Sequence, residues 1–167
     1  MIRTAAALLI AFLLTACGIG SSDMAPPSDD PFADVPLFPG ETEEMRLLIN
    51  KYAQVHGIPA ELLHKVIQRE SDYRAGARNG PYWGLMQILP ATARQMGHEG
   101  PPESLLDAET NLIYAGRYLR GAYLVADGDI DDAVMWYARG YYYAARDKCL
   151  LIETGLLDRE IARHCRA

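Results

Sequence analysis

The chain has 167 residues, half of them hydrophobic, enough for one domain around a single core. A formal net charge of −6 argues against a nucleic-acid partner, which needs a basic face. Three cysteines without a CxxC pair and four scattered histidines give no metal-ligand spacing, so neither metal nor cofactor is expected. Ten Tyr against three Phe suit a groove that stacks on, and hydrogen-bonds to, a polar ligand such as a sugar.

Residues 1–16 read as a targeting segment. Arg3 supplies positive charge ahead of the apolar run Ala5 to Leu14, which is too short to span a bilayer as a stable helix. Leu14-Thr15-Ala16-Cys17 follows and resembles a bacterial lipobox, in which cleavage precedes a cysteine that becomes lipidated. An ordinary secretory signal, with Cys17 a free thiol, is the alternative. Lipidation at Cys17 with several acyl chains would anchor the chain firmly to a membrane, since a single chain binds only marginally. Gly18 stands where Asp commonly retains lipoproteins in the inner membrane. The expected location is therefore the periplasmic face of the bacterial outer membrane. Setting Cys17 aside leaves Cys149 and Cys165, an even number for an oxidising compartment. They form either a disulfide tying the C-terminal segment to the domain or two reduced, buried thiols. Residues 17–40 carry Gly, Ser, Asp and five Pro, and read as a flexible tether.

From 41 to 167 the pattern is helical. Met45, Leu48, Ile49, Tyr52 and Val55 predict one apolar stripe, ended by Gly57. Pro59 opens a second helix, where its missing N–H costs nothing. Residues 71–83 are polar and Gly-rich, and predict a loop or small hairpin. Pro90 starts a short helix ended by Gly97. Asp107 is the expected N-cap of a long helix to about Ala126, and Asp129 caps the next, to about Gly140. Two last helices are expected over 141–154 and 156–165, divided by Gly155. The class is all-α, with at most a small β element near 73–88.

Within the second helix, Leu63, Val66, Ile67 and Glu70 share one stripe at i, i+3, i+4 and i+7. A carboxylate on such a stripe is costly unless paired or protonated. Apolar neighbours raise its pKa and suit it to general acid catalysis near neutral pH. A structural ion pair with Arg69, Arg74 or Arg78 is the alternative. No second carboxylate is evident: Asp72 faces away, and Glu99, Glu103 and Asp107 lie beyond loops.

Four blocks follow in order: Glu70-Ser71; Gly84-Leu85-Met86-Gln87-Ile88-Leu89-Pro90-Ala91-Thr92-Ala93; Asn111-Leu112 with Tyr118-Leu119; and Trp136-Tyr137-Ala138-Arg139-Gly140. Together they resemble the catalytic domain of the soluble lytic transglycosylases, the SLT domain of the lysozyme-like superfamily. The resemblance spans about residues 45 to 145. It implies a helical lysozyme-like domain with a glycan groove and peptidoglycan strands as the partner. It implies Glu70 as sole acid and base, cleaving the bond between N-acetylmuramic acid and N-acetylglucosamine to leave a 1,6-anhydro end. It also implies substrate contacts from Ser71, Met86, Gln87, Tyr118 and Tyr137. Ser71 holds either the local turn or the N-acetyl group. Gly84 is expected to let backbone approach the sugar, and Tyr82 and Trp83 to form a sugar platform or an aromatic lid. Two departures stand out. Ala138 replaces the family Asn, and Ala115 replaces a Gly, with Gly116 beside it. A hydrolytic muramidase, or a non-catalytic glycan-binding envelope lipoprotein, are the competing readings.

Overall fold

The computed structural model describes residues 35–165. The targeting segment 1–16, Cys17 and the tether up to 34 lie outside the described residues. The described residues form six α-helices and a two-stranded hairpin: α1 Glu43–His56, α2 Ala60–Ser71, β1 Arg78–Asn79, β2 Tyr82–Trp83, α3 Pro90–Gln95, α4 Ala108–Val125, α5 Ile130–Arg139 and α6 Tyr142–Asp147. This is the mostly-α, lysozyme-like architecture expected.

The helix ends follow their chemistry. Thr42 accepts from Met45 N–H at the start of α1, and Gly57 closes it at φ 62°. Asp107 caps α4 by accepting from Thr110 N–H, and Asp129 caps α5 by accepting from Asp132 N–H. The hairpin pairs Arg78 with Trp83 and Asn79 with Tyr82.

Helix α4 is the central element. It packs against α1, α3 and α5, and presents fully buried Leu112, Ala115, Leu119 and Ala122 to them. Close approach requires small residues. A Cβ at Gly116 would lie 2.5 Å from the His56 ring, and one at Gly121 would lie 2.1 Å from the Tyr141 hydroxyl. The expected α1 stripe holds except at its last member: Met45 and Leu48 pack against the core, and Val55 turns outward. Ile49, Tyr52, Ala53 and His56 are buried, whereas Val55 is 64% exposed. His56 is accommodated because its Nε2 bonds the Leu112 carbonyl at 2.9 Å.

Two expectations need correction. The tether was expected to run to residue 40, but Val35 and Pro36 offer their carbonyls to Arg46 and Phe38 packs on the core. The two C-terminal helices expected over 141–154 and 156–165 reduce to α6, a run of turns and a short 3₁₀ turn at Arg163–Cys165. The apolar residues there act singly: Leu151 and Leu156 plug the core, and Cys149 (φ 58°) and Gly155 (φ 71°) reverse the chain. The Cys149–Cys165 disulfide pins this segment to the end of α6.

The bridge closes a loop with a sequence separation of 16. Loops of this size stabilise by about 3 kcal/mol in the chain-entropy account, so removing the bridge lowers the melting temperature by roughly 10 °C. Thermal unfolding of the Cys149→Ser/Cys165→Ser double variant, followed by circular dichroism, checks this. An unchanged melting temperature would refute it.

Candidate active site

Glu70 sits in the last turn of α2, where the apolar stripe runs out. Leu63, Val66 and Ile67 are buried, and the Glu70 side chain keeps 24% exposure. It borders a cleft of about 350 Å³ shared with Arg69, Asn79, Tyr82, Gln87, Tyr137 and Ala138. A second hollow of about 250 Å³ adjoins it through Tyr82, Gln87, Tyr137 and Ala138, and is extended by Thr92 and Tyr118. Withdrawal from water raises the Glu70 pKa, and the Arg69 guanidinium, 3.6 Å away and half exposed, only partly opposes this. Glu70 is the one carboxylate among the described residues lining these two hollows. Asp131 lies in a neighbouring hollow with Arg69 and Ala138, and is paired with Lys65 at 2.9 Å. Asp107, open as a second carboxylate on sequence, is committed to capping α4.

The wall opposite Glu70 is the tight turn 83–88, closed by two backbone bonds between Trp83 and Ile88. Gly84 (φ 79°) and Gln87 (φ 50°) both adopt left-handed backbone. Such a conformation costs of order 1–3 kcal/mol for a non-glycine residue and persists only where the surroundings over-determine it. Asn111, fully buried on α4, supplies that constraint. Its Nδ2 donates to the carbonyls of Trp83 (3.0 Å) and Leu105 (2.8 Å), and its Oδ1 accepts from Met86 N–H (2.9 Å). Gly84 is obligatory for this reason. A Cβ there would lie 2.0 Å from the Leu105 carbonyl and 2.1 Å from Asn111 Nδ2. Its role is to admit the asparagine, not the sugar that the sequence suggested.

The structure divides the residues that the resemblance grouped. Gln87 and Tyr137 line both hollows and Tyr118 lines the second. Ser71 and Met86 have no side-chain surface to offer. Ser71 is buried and donates to the Leu85 carbonyl at 2.6 Å, and the Met86 side chain lies in the core. Both assignments as side-chain contacts to a ligand are therefore corrected: these residues fix the turn. The aromatic pair also separates. Tyr82 is exposed on the cleft, whereas Trp83 is buried beneath the Arg78 guanidinium at 3.8 Å.

Tyr137 donates its hydroxyl proton to the Met86 carbonyl at 2.8 Å. Burial, then the negative charge of Glu70, raise its pKa well above the ordinary value, so it stays a neutral phenol beside the acid. Tyr118 meets it edge to face at 5.6 Å. Gln87 uses its Nε2 on the carbonyls of Gly84 and Ala77, while its buried Oε1 has no protein hydrogen-bond partner. Sequence reasoning gave no role to Asn79 or Asn111. The position of Asn111 three residues into a helix gave no sign that it would reach the turn.

A concavity of similar size, about 380 Å³, lies between α1, α4 and the C-terminal turns, and none of the residues named around Glu70 lines it. Cys149, His164 and Cys165 bring potential ligand atoms within 4.8 Å of one another, but the two sulfurs are bonded to each other and supply no thiolate.

The Transglycosylase SLT domain family matches residues 47–148, which include every residue of the Glu70 cleft. The chain belongs to this family, whose members act on peptidoglycan and are typically lytic transglycosylases. No solved structure matches the chain.

Replacing Asn111 by Ala removes this partner from the Met86 N–H and the Leu105 carbonyl in the core, while the Trp83 carbonyl keeps its bond from Ile88 N–H. Each group left unsatisfied costs about 1–3 kcal/mol, so a loss of roughly 3–5 kcal/mol is expected. Urea unfolding of Asn111→Ala measures it, and a loss below about 1 kcal/mol would mean that the turn holds itself.

Proposed function

We propose that the protein is a peptidoglycan lytic transglycosylase that cleaves the β-1,4 bond between N-acetylmuramic acid and N-acetylglucosamine without water. The observation that carries this reading is a single carboxylate, half withdrawn from water, in a tyrosine-lined cleft. Hydrolytic glycosidases usually need a second carboxylate to activate water or stabilise the cation. An intramolecular nucleophile needs only one group that first gives and then takes a proton.

In the first step protonated Glu70 donates to the glycosidic oxygen as the bond to C1 of the muramoyl residue breaks. The N-acetylglucosamine leaves with a free 4-hydroxyl, and C1 becomes oxocarbenium-like. The muramoyl N-acetyl group shields that centre. In the second step the muramoyl 6-hydroxyl oxygen bonds to C1, and its proton passes to the Glu70 carboxylate. The 1,6-anhydro ring is closed and Glu70 is again protonated. The raised pKa favours the first step by enlarging the share of Glu70 that carries the proton. Gln87 lines both hollows, where rotation of its amide out of the turn would present the buried Oε1 to a sugar N–H or O–H. Tyr82, Tyr118 and Tyr137 offer ring faces to the pyranoses. Ala138, in place of the family Asn, leaves that part of the cleft wall without a polar side chain.

The lipobox-like Leu14-Thr15-Ala16-Cys17 supports attachment through a lipidated Cys17 to the periplasmic face of the outer membrane. Cys17→Ser should then move the protein from the membrane to the soluble fraction. Persistence in salt-washed outer membranes would exclude lipid as the anchor.

Glu70→Gln keeps the shape and removes the transferable proton, and should lower lysis of purified sacculi by roughly 10²–10⁴. Mass spectrometry of the wild-type digest should show ends lighter by one water than a reducing end; reducing ends would make the enzyme a hydrolytic muramidase. The same variant tests the electrostatics. A carboxyl whose folded pKa is raised stabilises the fold fully below its unfolded value, and that contribution is lost as pH rises through the folded value. Glu70→Gln does not titrate. It should therefore be more stable than wild type in urea at pH 7, and the difference should vanish below about pH 4, under the ordinary glutamate value.

A further inference from the structure

The segment Val35–Glu41 precedes the first helix and was expected to be tether, yet it is bound to the domain from three directions. The Arg46 guanidinium donates through Nη1 to the Val35 carbonyl (3.1 Å) and through Nη2 to the Pro36 carbonyl (3.3 Å). It also grips the Glu41 carboxylate through Nε and Nη2, each at 2.6 Å. Glu41 Oε2 accepts from Phe38 N–H at 2.9 Å. Burial alone would raise the Glu41 pKa. Arg46, the Phe38 amide and His64 outweigh it and hold the group ionised, below the usual range.

The surface that this arm covers is the turn immediately after Glu70. Asp72 (φ 49°) and Tyr73 (φ 63°) are consecutive non-glycine residues in left-handed backbone, so the chain leaves α2 through a strained corner. The Phe38 ring stacks on the Tyr73 ring, with centroids 6.3 Å apart and planes within 11°. It also leans on His64, whose Nδ1 shares a hydrogen bond with the Tyr73 hydroxyl at 2.8 Å. Gln68 Nε2 donates to the same hydroxyl at 3.2 Å. Gly40 passes so close to this corner that a Cβ would come within 2.8 Å of the Asp72 carbonyl oxygen. On the other side Ser71 is held by the Leu85 carbonyl. The last turn of α2, which carries Glu70, is thus clamped between the cleft turn and the arm.

We propose that Val35–Glu41 is a positioning element for Glu70. By holding the Asp72–Tyr73 corner it fixes the end of α2, and with it the half-desolvated placement of the carboxylate at the cleft. Phe38 is the residue through which it acts, touching Tyr73 and not the substrate. The inference rests on the reading of Glu70 as the acid. Along the chain the arm lies between Cys17, the proposed point of membrane attachment, and α1.

The test uses Phe38→Ala and the milder Phe38→Leu in the full chain, with Leu151→Ala as a control for core destabilisation away from the arm. The Glu70 carboxyl is followed by carbon-13 NMR titration, with Glu70→Gln assigning its resonance. Loss of the clamp lets the end of α2 fray toward water, so the Glu70 pKa should fall by at least half a unit in Phe38→Ala and less in Phe38→Leu. Turnover on sacculi at 25 °C should fall five-fold or more, with KM within two-fold. The basic limb of the kcat–pH profile should move to lower pH by the same half unit. Leu151→Ala should lower the melting temperature while leaving the titration and kcat unchanged. An unchanged Glu70 titration in a folded Phe38 variant would overturn the proposal and make the arm a structural clasp. If Glu70→Gln retains lysis, the assignment of the acid fails instead, and the titration still decides what the arm does.

Discussion

One buried side chain determines the shape of the cleft. Asn111 carries a donor group and an acceptor, and both are used on the backbone of two segments that cannot satisfy themselves. The 83–88 turn makes three backbone bonds of its own, yet burying it leaves the Met86 amide in need of a partner. An asparagine from the central helix provides it at fixed distance, and Gly84 provides the space. The Met86 carbonyl is thereby aimed at Tyr137 and the Leu85 carbonyl at Ser71. Four of the blocks that stand far apart in the chain meet at this one turn.

Glu70 gains its properties from what surrounds the end of α2 rather than from a partner charge. Its stripe neighbours are buried, its nearest cation is exposed and 3.6 Å away, and a buried phenol stands close by. An exposed ion pair contributes little in high dielectric, so desolvation decides the direction of the shift. Among the described residues no other carboxylate lines the two hollows. That arrangement fits a reaction in which the nucleophile comes from the substrate itself.

The elements legible in the sequence were those that local chemistry specifies. Caps at Asp107 and Asp129, the Gly57 stop and the Glu70 stripe depend on neighbours within one or two helical turns, and they hold in the structure. The errors share a cause. In the C-terminal segment the apolar residues gave a helix-like count, but Leu151 and Leu156 are single plugs separated by turns and anchored by a disulfide. Val35–Gly40 has the composition of a linker, yet Arg46, ten residues away, gathers its carbonyls. Arginine in an amphipathic helix reads as a surface residue until something buries it.

The order of the blocks was enough to give the class of fold and the family, and it marked Glu70 as the candidate acid, because a carboxylate at the end of an apolar stripe is a local pattern. Which members of those blocks face a ligand was decided only by tertiary structure. Ser71 and Gln87 are both polar members of the blocks that carry the resemblance. The first is sealed against Leu85, and the second borders the cleft. Gly84 and Asn111 acquire their meaning only from each other, 27 positions apart. Hydrogen-bond satisfaction in a packed interior depends on groups brought together by the fold, and no periodicity or propensity along the chain encodes which of them will meet.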